Sequence, residues 1–459
     1  MRIEKDTLGK VTLPDNVYYG AQTQRAVENF PISGLRLPRR FIKAQGIVKL
    51  AAARANASLG LLSKKMSKSI ERAALEVMKG THDRHFVVDV YQAGAGTSQN
   101  MNANEVITNR AIELLGGKKG DYSLIHPNDH VNMAQSTNDT IPTSMYISAS
   151  EAVTDDLIIS LKAMKDALAA KSREFDRVVK SGRTHMQDAV PMRLGQEFSG
   201  YAESVRNDLA RIQTASRALL NLPIGGNALG TGINAHPRFQ RSVIKEIREI
   251  TGTGFKSSKN LFEGIQNVYP ALEVSASLRG AAVTLTKIAN DIRLLSSGPR
   301  TGLAEIRLPA VQPGSSIMPG KVNPVMAEML NMICYQVIGN DTAIACAVQA
   351  SQLELNVMMP MIAYNLLFSI EILSKGISVF TDKCVRGIED DEKRCREYAE
   401  ATLAMATALN PVIGYSSAAE ISKEAYRSGK PVRKVAVEKG ILDETQAARI
   451  LDPDRLTRK

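Results

Sequence analysis

Four short stretches gather hydroxyls, amides and glycines where the surrounding apolar rhythm breaks: GAGTSQN (94–100), QSTND (135–139), GRTHMQD (182–188) and PGSSIMPGKVNP (313–324). Glycine lets backbone N–H groups come close to a ligand, while Ser, Thr and Asn add directed neutral donors. With one lysine, Lys321, in the last stretch, the set suits the binding of carboxylates and needs no metal. His185 is one of six histidines in the chain. A solitary loop histidine is more often a surface or capping residue than a catalyst, so its setting, not its type, makes it a candidate. His126, with Asn128 and Asp129 beside it, reads as a turn.

Other chemistries fail on spacing. Gly320-Lys321 resembles the end of a phosphate-binding loop, but the first glycine of such a loop would fall at Ser315 and the required Ser or Thr after the lysine is Val322. The glycine-rich run GGNALGTG (225–232) has no βαβ pattern around it and reads as structural. Cys334, Cys346, Cys384 and Cys395 form no CxxC pair and no metal-site spacing, and are expected to be buried free thiols. The net charge of +11 raises the question of nucleic acid, yet the basic residues are dispersed with no interleaved aromatic stripe, which excludes a nucleic-acid partner.

The elements that would position these loops are helices. The chain is 44% hydrophobic but only 5% aromatic with no Trp, so its apolar content is mainly Ala, Leu, Ile, Val and Met, which favours an all-α fold. Helical spacing predicts helices over 41–57 and 67–78, with loops over 89–104 and 126–143 between helices. Heptad-like stripes follow: Leu157, Leu161, Met164 and Leu168; then Leu278, Ala281, Leu285, Ile288, Ile292 and Leu295; then Leu366, Ile370, Leu373, Ile377 and Phe380. A bundle of long helices with partners in the same or another chain is the expectation, and oligomerisation is expected from the length of the stripes. Residues 1–40, rich in Gly, Pro and Asn, read as an irregular arm. Past Lys383, short helices broken at NPVIGY (410–415) and SGKP (428–431) read as a small terminal domain. The predicted domains are 1–135, 136–388 and 389–459. The charged start MRIEKDTLGK lacks a signal-peptide core, and no run of about 18 apolar residues is expected to span a bilayer, so a cytoplasmic protein without a membrane partner is predicted.

GSSIMPGKVNP (314–324) resembles the long active-site loop of the aspartase/fumarase superfamily, and HPNDH, STND, GRTHMQD and KIANDIR occur in that family's order along essentially the whole chain. The resemblance implies a three-domain, all-α subunit whose long central helices build a twenty-helix core in a homotetramer. It also implies active sites that each draw on three subunits. The implied reaction removes ammonia or water from a four-carbon dicarboxylate to give fumarate, without a cofactor and with room for activation by a divalent cation.

By the same resemblance, Ser315 acting as an oxyanion is the base. Thr97, Ser136, Thr137 and Ser316 hold the carboxylate that becomes an aci-carboxylate, and Lys321 and Asn323 hold the other carboxylate. Thr184 and His185 stand at the leaving group with Glu328 oriented towards the histidine, and Asn138 completes that corner. His185 either donates the leaving-group proton or positions the group. A neutral serine is a poor base, so the assignment requires N–H groups of the glycine loop and Lys321 to lower its pKa on loop closure. Within the family, DVYQAGAGTSQN resembles the aspartase branch, because Tyr91 and Ala95 stand where class II fumarases carry Trp and Ser. STND, EVSASL and QLELNV point the same way. GAQTQRAVENF, LPIGGNALGTGINAHP and His126 resemble fumarases. Deamination of aspartate is therefore the expected reaction, with fumarate hydration as the alternative and a catalytically inactive binding relative as the third reading. Retention of all the loop hydroxyls, Lys321 and Asn323 counts against the last.

Overall fold

The structure, a computed structural model, describes residues 1–457. A two-stranded antiparallel hairpin opens the chain, β1 (Arg2–Asp6) and β2 (Gly9–Leu13), followed by helix α1 (Ala21–Asn29). The expected irregular arm is thus ordered. Glu105, from a helix further on, caps α1 by accepting the N–H groups of Gly20, Gln22 and Thr23 at 2.8, 2.9 and 3.1 Å, the role a local N-cap side chain usually fills. Sequence reading missed the arm because its cap comes from a distant residue.

Helices α2 (Arg39–Ser58) and α3 (Lys64–Met78) match the predicted pair. The two predicted loops are shorter than expected. Helix α4 begins at Thr97 and runs to Leu114, and α5 runs from Thr137 to Ala152. Gly96 starts α4 at φ 84°, where a Cβ would also lie 3.1 Å from Ile141 Cγ1. Ser136 and Asp139 start α5 with a reciprocal cap: Ser136 Oγ accepts the Asn138 N–H at 3.2 Å and Asp139 accepts the Ser136 N–H at 2.9 Å. The polar residues read as loop are therefore the first turns of helices.

Three helices follow, α6 (Ile158–Glu174), α7 (Leu194–Ser216) and α8 (Phe239–Thr251), with the short α9 (Leu261–Gln266), and then the longest three: α10 (Tyr269–Leu295), α11 (Val325–Gln349) and α12 (Met359–Lys383). Every residue of the three heptad stripes is at most 4% exposed. The stripes are therefore already covered within the chain, which corrects the expectation that their length alone calls for a second subunit. Exposed apolar residues lie elsewhere on these helices: Val283 on α10, Met332 and Tyr335 on α11, and Val379 on α12. The segment Met359–Gly387 is, against expectation, long and apolar enough to cross a membrane by length and composition. Its stripe of Leu366, Ile370, Leu373, Ile377 and Phe380 is fully buried in protein, and Glu371 and Lys375 interrupt it, which is the pattern of a core helix. The remaining sheet consists of two-stranded pairs, of which β3 (Val179–Thr184) and β4 (Gln187–Arg193) carry a candidate loop.

Two compact units emerge from the packing: Met1–Ile159 with Ala210–Ala282 and Tyr335–Ser374, and Ser160–Leu209 with Val283–Cys334 and the chain from Lys375 on. In the first, Ile42, Leu50, Ile70, Val77, Val106 and Ile112 pack α2, α3 and α4 together. In the second, Met405, Leu409, Ile421, Val435 and Leu451 form a separate small core. Cys334, Cys384 and Cys395 are buried free thiols as expected, whereas Cys346 is exposed.

Candidate active site

The candidate residues fall into two groups, one in each unit. In the first unit, Thr97 stands on the first turn of α4, and Ser136, Thr137 and Asn138 start α5. The two helix starts lie side by side: Asn100 Nδ2 donates to Thr137 Oγ1 at 3.2 Å, and Ile141 packs on Gly96. Free N–H groups and the positive ends of two helix dipoles therefore meet where the hydroxyls of Thr97 and Thr137 are partly or fully exposed, an arrangement that favours an anion. The 225–232 run fixes this turn from behind. Asp139 accepts the N–H groups of Gly225 and Asn227 at 3.0 and 2.8 Å, and Asn138 Nδ2 donates to Ala228 O at 2.8 Å. That is the structural role read from its sequence. Burial pushes the Asp139 carboxyl up to about 7, against the pull of its three N–H donors.

Just before Thr97, Ala95 sits at φ 59°, a left-handed conformation uncommon for a residue with a Cβ, and its N–H donates to Val357 O at 2.8 Å. It is 3% exposed, so this corner of the loop offers a methyl group and no hydroxyl.

In the second unit, Ser315, Ser316, Lys321 and Asn323 lie on one loop that closes on itself and leads into α11, on whose first turn Glu328 stands. The Gly314 N–H donates to Lys321 O at 2.8 Å, and Asn323 Nδ2 donates to Gly314 O at 2.6 Å. A Cβ on Gly314 would stand 2.5 Å from the Lys321 carbonyl, so only glycine closes this neck. Inside it, Ser315 Oγ accepts two backbone N–H groups, from Ile317 at 3.2 Å and Met318 at 2.9 Å. Two donors aimed at one hydroxyl oxygen stabilise the alkoxide more than the alcohol. Lys321 is exposed and has no carboxylate partner among the described residues, which leaves its charge for a ligand.

GRTHMQD is the tip of the β3–β4 hairpin and not a free loop. Thr184 pairs with Gln187 across a two-residue turn formed by His185 (φ 55°) and Met186 (φ 59°). Such primed turns normally use Asn-Gly, and two side chains at positive φ carry strain of roughly 1–3 kcal/mol each. The hairpin is anchored at its root. Arg183 Nη1 lies 2.9 Å from Glu305 Oε1, Lys180 Nζ lies 2.9 Å from Glu305 Oε2, and Lys180 also meets Glu197 at 2.6 Å. Glu305 is fully buried and Lys180 nearly so. Thr184 and His185 are exposed at the tip, and among the described residues His185 and Glu328 make no hydrogen bond or ion pair with each other. His126 does form the predicted turn: its Nδ1 accepts the N–H groups of Asn128 and Asp129 at 3.3 Å.

Sequence reasoning missed Glu305 and the buried Lys49, which sits behind Thr137. The signal for Lys49 was present, since it is one charge inside the apolar run GIVKLAAA. Glu305 has no such mark.

Residues 9–339 match a family model described as lyase, and residues 405–458 match the fumarase C C-terminus model. The chain is 48% identical to aspartate ammonia-lyase of Bacillus subtilis (strain 168), covering 100% of this chain and 96% of that one. This chain belongs to the fumarase/aspartase family of lyases. It is also 50% identical to class II fumarate hydratase of Halobacterium salinarum, over 100% of this chain and 97% of the other. Among solved structures, a class II fumarase from Schistosoma mansoni matches with a TM-score of 0.96 at 38% identity, over 99% of this chain and 98% of that chain. A fumarate lyase:delta crystallin from Brucella melitensis bound to cobalt also matches at 0.96, with 47% identity over the whole of both chains. The all-α fold expected from composition and periodicity is the fold of this family.

Proposed function

We propose that this lyase is an aspartate ammonia-lyase. Ala95 is the observation that carries the reading. Its buried methyl group leaves the corner beside Thr97 without a hydroxyl, whereas malate would bring a hydroxyl leaving group that needs a polar partner there. A site without that partner discriminates strongly against the substrate that needs it.

In the proposed reaction, the Ser315 alkoxide takes a proton from the carbon next to one carboxylate of L-aspartate. The C–H electron pair moves into that carboxylate to give a doubly charged aci-carboxylate. Thr97, Ser136, Thr137 and Ser316 hold it through directed donors, and Lys321 and Asn323 hold the other carboxylate. The pair then returns to form the carbon–carbon double bond, and ammonia departs with the electrons of the C–N bond near Asn138, Thr184 and His185, with Glu328 acting on the histidine. Two N–H donors on Ser315 Oγ support its role as the base. No organic cofactor or metal takes part, and a divalent cation would act only as an activator away from these steps.

The working form we propose is a homotetramer with sites shared between subunits. Exposed apolar residues on α10, α11 and α12 support it. One experiment tests the function: fumarate absorbance is followed with L-aspartate and L-malate at matched concentration, and the active species is sized by light scattering. Fast deamination of aspartate by a tetramer is expected. Dehydration of malate without deamination of aspartate would make the protein a fumarate hydratase, and an active monomer would remove the tetramer.

A further inference from the structure

Lys49, on α2, is 1% exposed, and among the described residues no carboxylate lies within ion-pair distance of it; the buried Asp139 carboxyl acts on it from further off. Its Nζ donates instead to three amide oxygens: Asn100 Oδ1 at 2.9 Å, Asn132 Oδ1 at 2.9 Å and Gln135 Oε1 at 3.1 Å. The amides cannot easily turn round, because their N–H groups are engaged elsewhere. Asn132 Nδ2 donates to Gln135 O, Gln135 Nε2 to Val131 O and Met133 O, and Asn100 Nδ2 to Asn132 Oδ1 and Thr137 Oγ1. Three fixed acceptors match the three donors of an ammonium and hold the cation, although burial pulls the lysine down to about 7.

Burying an ammonium without a carboxylate partner is costly, and an apolar side chain would fill the same space between α2, α4 and α5. The chain of contacts has a direction. Lys49 donates to Asn100, and Asn100 donates to Thr137 Oγ1, so the Thr137 hydroxyl has its own hydrogen left to donate outward.

We propose that Lys49 is a positioning residue for the elimination reaction. Through Asn100 it orients the Thr137 hydroxyl as a donor, and its ammonium places a positive charge behind the Ser136–Thr137 turn that favours the doubly charged intermediate over the bound substrate. The proposal rests on the reaction given above. The path from Nζ through the Asn100 amide to Thr137 is roughly 8 Å, so a carboxylate held by Thr137 lies about 10 Å from the charge. With an effective dielectric of about 20, the one extra negative charge of the intermediate is then favoured about fifteenfold.

The test uses full-length protein with two substitutions, Lys49→Gln and Asn100→Asp. The first removes the charge. The second is nearly isosteric, sets a carboxylate against Lys49 that neutralises it, and removes the N–H donated to Thr137. It is expected to fold, since it gives the buried ammonium an ion-pair partner. In both, kcat for the preferred substrate is expected to fall about fifteenfold or more, and KM is expected to rise by no more than a similar factor, since the carboxylate held by Thr137 already carries one charge before the proton is lost. A purely structural lysine predicts the opposite for Asn100→Asp: unchanged or raised Tm with unchanged kcat. Folded Asn100→Asp protein with kcat within about threefold of the parent overturns the proposal even if Lys49→Gln fails to fold. A parent protein that turns over neither aspartate nor malate refutes the proposed reaction and this role together.

Discussion

Replacing Ser315 by alanine removes the oxygen on which two N–H groups converge, from Ile317 at 3.2 Å and Met318 at 2.9 Å. A hydrogen bond to a charged acceptor contributes about 1.5–3 kcal/mol, against about 0.5–1.5 kcal/mol to a neutral one. Each donor therefore favours the alkoxide over the alcohol by roughly 1–1.5 kcal/mol, and the pair draws the serine pKa down. That alone raises the alkoxide fraction about a hundredfold, before any contribution from Lys321 on the same loop. General-base catalysis supplies about 10²–10⁴ in rate, and abstraction of a weakly acidic C–H proton lies towards the upper end. Ser315→Ala is thus expected to lower kcat at least about a thousandfold. Its neck, closed by Gly314, Lys321 and Asn323, does not use the Ser315 side chain, so Tm and oligomeric state should be unchanged. The assay is fumarate release at saturating substrate, with thermal unfolding and light scattering as controls. Turnover within about tenfold of the parent in a folded Ser315→Ala protein would show that another group takes the proton and that the two N–H donors serve only to shape the turn.

Lys321→Ala is expected to raise KM as well as lower kcat, because its unpaired charge meets a carboxylate present before any bond breaks; a change confined to kcat would contradict this and is read from initial rates over a range of substrate concentration. Glu305→Gln leaves Lys180 and Arg183 without the buried anion between them, and should cost about 3 kcal/mol in urea unfolding of the affected unit while also loosening the His185 hairpin; an unchanged denaturation midpoint would refute the anchoring role. His85 is held down to about 4 by burial, with Arg84 adding to it, so the stability it protects is full above its ordinary value of 6.5 and is lost as the pH falls towards 4. That loss amounts to roughly 3 kcal/mol at most, and Tm measured between pH 7 and about pH 4.5 should fall less steeply in His85→Asn than in the parent; parallel slopes would mean the imidazole contributes nothing.

Much of the fold was legible because its helices are long and their apolar period is regular. Leu278 to Leu295 and Leu366 to Phe380 declare their buried faces in sequence, and those faces are buried in the structure. The misreadings have a common physical cause. STND at 136–139 is a helix start in which the cap, Ser136, is followed by Asp139 as its reciprocal acceptor, yet the cluster of hydroxyls and amides reads as loop. Thr97 opens a helix in the same disguise after a glycine pair. Polar first turns are what a site built on helix starts requires, and so the residues that mark the site also erase the periodic signal of the helix beneath it. The hairpin at His185 escaped for a different reason, since its turn lacks the Asn or Gly that normally announces one. Ser315, Ser316, Lys321 and Asn323 were legible as one loop because they are contiguous. Glu305 was not, because it acts through residues far away in the chain, whereas Lys49 was marked as the one charge in the apolar run GIVKLAAA.

Several of the positions where local rules fail lie at or beside the candidate residues. Ala95 and His185 hold positive φ with a Cβ in place, Met186 does the same beside it, and Lys49 is an ammonium buried without an ion-pair partner among the described residues. Each carries a cost that the surrounding structure must offset, and each has an identifiable support. Ala95 is tied to Val357, Lys49 is held by three amides, and the His185 turn stands on a hairpin whose root is clamped by Glu305. Strain spread at random would be removed by ordinary substitutions, Asn-Gly at the turn or Leu in place of the buried lysine, with a gain in stability. Positive φ with a Cβ also occurs elsewhere, at Asn234, Ala304 and Leu353, but the strain just before α4 and at the His185 hairpin tip stands beside candidate residues, as it does when side chains are fixed for a ligand's charge before that ligand arrives. On this argument Met186→Gly, which relieves the turn, should raise Tm while lowering kcat through a looser His185, and a variant that gained stability at full activity would mean the hairpin strain has no part in the reaction.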